Sequence, residues 1–166
     1  MNKTLCLISV LGWVAAMNLN AAEQDAAPAA PDRAALEKGF VTTMTQATFV
    51  GRWNLTNGDQ LGESREERYT IQGVSKVGGE VWLVRARMQF GDKDVTVPVP
   101  VKVLWAGDTP VITLTDLAIP GVGTFTARVV VHEGRYAGTW SGGDHGGVMS
   151  GLIVPGTPPT PADKSE

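Results

Sequence analysis

The stretch Trp82-Leu83-Val84-Arg85-Ala86-Arg87-Met88-Gln89-Phe90 decides the class of fold, together with Val95-Thr96-Val97-Pro98-Val99-Pro100-Val101-Lys102-Val103-Leu104-Trp105 beyond a Gly91-Asp92 turn signal. Trp82, Val84, Ala86, Met88 and Phe90 fall at every second position, with Arg85, Arg87 and Gln89 between them. Val95, Val97, Val99, Val101, Val103 and Trp105 alternate in the same way with Thr96, Pro98, Pro100 and Lys102. Successive side chains of a strand point to opposite faces, so each run has one dry side and one wetter side. No helical period competes with this alternation.

The pattern continues in both directions. Phe125, Ala127, Val129 and Val131 oppose Thr124, Thr126 and Arg128, while Tyr136, Gly138 and Trp140 oppose Ala137, Thr139 and Ser141. Further turn signals stand at Asn57-Gly58, Gly78-Gly79, Gly107-Asp108, Gly121-Val122-Gly123, Glu133-Gly134 and Gly142-Gly143-Asp144. The spacing predicts eight strands, over 47–55, 66–77, 80–90, 94–105, 110–117, 123–132, 135–142 and 147–154. Short connections pair sequential neighbours antiparallel. The expected fold is all-β, an eight-stranded antiparallel up-and-down barrel, which leaves no open sheet edge. Pro98 and Pro100 lack N–H groups on one side of their strand, which places that side at a seam, an edge or a bulge. A half-open barrel or a β-sandwich is therefore the alternative. Before the strands, Asp32 can cap a short N-terminal helix over 33–45, with Leu36, Phe40 and Met44 as its apolar stripe.

A chain of 166 residues fits one domain, here 32–154. With 43% hydrophobic residues and a net charge of −3 it is too apolar and too weakly charged for a disordered chain. It also lacks the basic stripe that nucleic-acid binding needs. Residues 1–22 read as a secretory signal peptide: Lys3, an apolar run from Leu5 to Met17, then Asn20-Ala21-Ala22. A retained anchor is the alternative, but the run is shorter than the roughly 20 residues a membrane-spanning helix needs, so no stable membrane span is expected after cleavage. Cleavage removes Lys3 and the only cysteine, Cys6. The remaining chain is then exported without a disulfide, periplasmic or secreted in a bacterium, and must rely on core burial. Residues 23–31 read as a flexible linker and 155–166 as a Pro-rich disordered tail.

The chemistry-bearing residues form no catalytic set. His132-Glu133 and Asp144-His145 contain metal-ligating types, but they flank strand 135–142 at its two ends. About eight residues of strand separate them by roughly 26 Å, too far for one metal, so no metal site and no cofactor is expected. Ser141, Asp144 and His145 lie on one turn, where no third element orients a base. Ser150 lacks the glycine of a nucleophile elbow. Glu63, Glu66 and Glu67 mix with Arg65 and Arg68 and read as a solvated charged loop.

Tryptophans carry more information. Outside the leader stand Trp53, Trp82, Trp105 and Trp140, each on the apolar face of its strand, as are Tyr69, Phe90, Phe125 and Tyr136. Such rings either fill a barrel or line a cavity in it, and periodicity does not separate the two. The expected lining of a cavity is Trp53, Tyr69, Trp82, Trp105, Phe125, Tyr136 and Trp140.

Gly51-Arg52-Trp53 resembles the G-x-W motif that opens lipocalins and other calycin barrels, and Thr115-Asp116-Leu117 resembles their later T-D-Y motif, with Leu117 in place of tyrosine. The Arg of the last strand, which in that family covers the motif Trp at the closed end, is missing from 147–154. Tyr136-Ala137-Gly138-Thr139-Trp140 resembles the glycine–tryptophan spacing of avidin-like barrels, though no biotin-binding set maps onto it. The resemblance implies an eight-stranded barrel and one small hydrophobic ligand, with no catalytic residue. The expected function is a non-catalytic, calycin-like binding module for a small apolar or amphipathic molecule. The alternative is a structural or protein-interaction domain of the cell envelope, with no particular protein partner indicated.

Overall fold

The Asp32 carboxylate accepts a hydrogen bond from the Ala34 N–H at 2.9 Å in the computed structural model, which describes residues 31–156. That bond satisfies one of the free N–H groups at a helix start, and α1 (Arg33–Met44) follows from it. The leader, residues 23–30 of the linker and residues 157–166 of the tail lie outside the described residues. No described helix is long and apolar enough to cross a membrane.

Eight strands follow: β1 (Thr48–Asn57), β2 (Gln60–Gly78), β3 (Val81–Phe90), β4 (Lys93–Ala106), β5 (Thr109–Ile119), β6 (Gly123–His132), β7 (Arg135–Gly142) and β8 (His145–Val154). Each pairs antiparallel with the next, and β8 pairs with β1, so the sheet closes into a barrel. Tight turns make this meander. Between β6 and β7, Glu133 and Gly134 both have positive φ, 46° and 71°. That backbone matches the right-handed twist of a two-residue hairpin turn.

One segment departs from its expected form. The run Glu63–Arg68 is not a loop: β2 begins at Gln60 and pairs with β1 from Asn57↔Gln60 to Thr48↔Thr70. Its charges are sorted by the pleat. Ser64 and Glu66 face outward, where Arg52 of β1 binds both, at 2.8 Å and 3.5 Å. The intervening positions 65 and 67 turn inward.

The prolines mark a seam. β4 is joined to β3 from Lys93 to Lys102, but to β5 only from Lys102 to Ala106. Pro98 and Pro100 lie in the half of β4 that has no β5 partner, where missing N–H donors leave no gap in a ladder. They also deny donors to any strand added from outside. Opposite them β5 bulges between Leu114 and Leu117, with Asp116 at φ 48°. The Thr115-Asp116-Leu117 triplet is thus the bulge itself. Arg128 donates to the Leu114 carbonyl at 2.6 Å, and the Asp116 N–H to Thr126 Oγ1 at 3.0 Å.

α1 covers the barrel end formed by the start of β1 and the β2–β3, β4–β5 and β6–β7 turns. Phe40 is buried edge-on against Trp82 at 5.3 Å and Trp105 at 6.3 Å. Met44 is fully buried beside it. Lys76 reaches from β2 to Glu37 at 2.6 Å and holds that carboxyl below its usual range. Arg33 lies 5.2 Å over the Trp105 ring.

Candidate functional site: a cavity inside the barrel

The inward positions of the strands do not fill the interior. A cavity of about 770 Å³ runs from Met44 of α1 toward the β3–β4, β5–β6 and β7–β8 turns at the opposite end. That lies within the usual range for sites that hold small molecules, about 300–1,000 Å³. Its walls are mostly apolar, among them Phe49, Val84, Met88, Phe90, Leu114 and Val129.

Of the expected lining, Trp53, Tyr69, Phe125, Tyr136 and Trp140 border the cavity. Trp53 and Trp140 meet edge to face at 5.5 Å, and Arg65 lies 5.3 Å over Trp53. Trp82 and Trp105 do not border it. They point inward at the other end, where Phe40 packs between them and closes off the space. Their strands carry the right alternation, but no strand pattern records that a helix earlier in the chain fills their end. The G-x-W tryptophan also departs from its expected place at the covered end. Trp53 sits with Trp140 and the turn residue His145, away from α1. The residue over it is Arg65 of β2. The indole Nε1 atoms of Trp53 and Trp105 are buried with no acceptor among the described residues.

One polar group inside was not expected there. Glu67 is only 3% exposed and borders the cavity. Tyr136 donates its hydroxyl to Glu67 Oε1 at 2.7 Å, and Tyr69 donates to Oε2 at 2.7 Å. Tyr136 reaches Glu67 across two intervening strands. The register aligns Tyr136 (β7) with Gly151 (β8), Gly151 with Gly51 (β1), and Gly51 with Glu67 (β2). The two middle residues have no side chain, so the tyrosine lies across them. A Cβ on Gly51 would overlap both the Tyr136 hydroxyl and the Ser150 carbonyl oxygen. The first residue of the G-x-W motif therefore makes room for this hydrogen bond.

Burial pushes the Glu67 carboxyl above its usual range, and the two tyrosine hydroxyls work against that rise. Burial likewise raises both tyrosines, with Glu67 adding to each, so both remain donors. A carboxyl whose folded pKa is raised favours its neutral form in the fold. Its contribution to stability is complete below the ordinary value, 4.5, and is lost as the pH rises through the folded value. Glu67→Gln cannot ionise. The stability difference between this variant and the wild type should widen in the variant's favour across that window. Urea midpoints taken from acid to neutral pH check this, and a constant difference would contradict the raised carboxyl.

The other candidates stay apart. His132 and His145 sit at opposite ends of β7, and both are exposed. Among the described residues no three His, Cys, Asp or Glu side chains gather where a metal ion could bind. Asp144 Oδ1 and His145 Nδ1 are 3.2 Å apart in one turn. Ser141 shares β7 with Trp140 but faces the other side of the sheet. The chain matches no family model, no curated protein and no solved structure.

Proposed function

We propose that the chain is an exported, non-catalytic, calycin-like binding module that holds a small apolar or amphipathic molecule inside its barrel. The observation that supports this reading is the largely apolar cavity of about 770 Å³, bordered by five of the seven aromatic residues expected to line it. Burying apolar ligand surface there is worth about 25 cal/mol per Å², enough for binding without chemistry. The eight-stranded barrel agrees with the calycin resemblance. Strand addition by a partner protein is the weaker reading, because Pro98 and Pro100 stand on the edge it would use.

Trp53 and Trp140 border the cavity, so intrinsic fluorescence reports its occupancy. A lipophilic compound set titrated into the protein should shift or quench that emission. Ala127→Phe, which places a ring in the cavity, should weaken the binding by tenfold or more, about 1.4 kcal/mol, with an unchanged circular dichroism spectrum. A wild type that answers to no compound, or a variant that binds as well as the wild type, would reject the reading.

A further inference from the structure

We propose that the molecule held in this cavity is an amphipathic amine, with its ammonium group on the Glu67 carboxylate and its chain along the apolar walls. The inference rests on the binding-module reading and adds the head-group chemistry to it.

Glu67 is a buried acid in an apolar surround, and a buried carboxylate is costly unless it is paired. Its two neighbours, Tyr69 and Tyr136, satisfy one lone pair on each oxygen. An ionised carboxylate accepts about four hydrogen bonds, so roughly half of its capacity remains. Among the described residues no Lys, Arg or His acts on it; the two hydroxyls are its only polar partners. The counter-charge is thus absent from the protein and can be supplied by a ligand.

The rings around the carboxylate favour the same ligand. Phe49 packs edge-on against Tyr136 at 4.9 Å, and Phe90 lies 6.4 Å from Tyr69 and opposite Glu67 in the β2–β3 register. Aromatic faces attract an ammonium ion, most strongly where water is excluded. An anionic head group would meet repulsion from Glu67, and an alcohol would leave its charge unpaired. The cations at the cavity mouth are engaged elsewhere: Arg65 lies over Trp53, and Lys93 is 3.5 Å from Asp92.

The test uses decylamine, decanol and decanoate, which share one chain and differ in the head group. Each is titrated at neutral pH into the full chain while tryptophan emission is followed. Decylamine should bind tenfold or more tightly than decanol, and decanoate weakest of the three. In Glu67→Gln the advantage of decylamine over decanol should fall to about twofold or less. Equal binding of decanol or decanoate by the wild type, or an amine preference that survives E67Q, overturns the head-group assignment alone. No binding of any of the three overturns the cavity reading and this proposal with it. Should E67Q fail to fold, the wild-type Glu67 carboxyl is followed by NMR titration. Decylamine should lower its pKa and decanol should not, and a carboxyl unmoved by decylamine overturns the proposal.

Discussion

Phe40→Ala should lower the unfolding free energy by about 4 kcal/mol, within the range found for removing a buried aromatic side chain. Phe40 is 3% exposed and wedged between Trp82 and Trp105. Neither indole can collapse into the space it would leave, because each is fixed on a paired strand, Trp82 against Val101 and Trp105 against Pro110. The helix would keep its cap and its Lys76–Glu37 ion pair, but these exposed or half-exposed charges contribute little, about 0–1 kcal/mol. Leu36→Ala, one turn earlier and only half-buried, should cost clearly less. Urea denaturation followed by tryptophan emission measures both. A loss for Phe40→Ala no larger than that for Leu36→Ala would show that α1 is not part of the core.

Gly51→Ala should cost about 3 kcal/mol, at the upper end for overpacking a well-filled site. The added methyl would overlap the Tyr136 hydroxyl and the Ser150 carbonyl oxygen, and would stand 2.9 Å from Gly151 Cα. Two of these three obstacles are backbone, so moving a side chain does not relieve them. Tyr136→Phe in the same chain removes the hydroxyl overlap but also a donor to the buried Glu67, and leaves both backbone overlaps, so it should not recover wild-type stability. Gly73→Ala supplies the control. No atom lies within 4 Å of a Cβ there, so that change should be neutral or slightly stabilising through the unfolded chain. Denaturation midpoints of the three variants decide the matter. A Gly51→Ala chain as stable as Gly73→Ala would mean that the close packing of β1, β8 and Tyr136 is wrong.

These two positions show different degrees of legibility. Phe40 could be placed on the buried stripe of a helix from its four-residue spacing with Leu36 and Met44, but its partners Trp82 and Trp105 could not be named. Gly51 could be quoted as part of a motif, but the reason for a glycine is a hydroxyl on β7, 85 residues later in the chain. Glu67 was the largest omission. In Arg65-Glu66-Glu67-Arg68 a charge run reads as solvated, and composition hid the alternation. The one local signal was parity: Glu67 stands two and four residues before Tyr69 and Ile71, both on the apolar face of that strand.

By itself the sequence determined that there are eight strands in this order, their turns apart from the start of β2, the Asp32 helix cap, and that one side of the Pro98–Pro100 strand lacks ladder donors. These depend on the two-residue period, on turn backbone conformation and on missing N–H groups, all of which are local. Only the tertiary structure decided that the barrel is closed and hollow, that α1 fills one end, and that Glu67 faces Tyr69 and Tyr136. Those outcomes depend on which distant strands become neighbours and on how much volume their inward side chains leave unfilled. Strand alternation tells which way a side chain points, but carries no record of what stands across the interior from it.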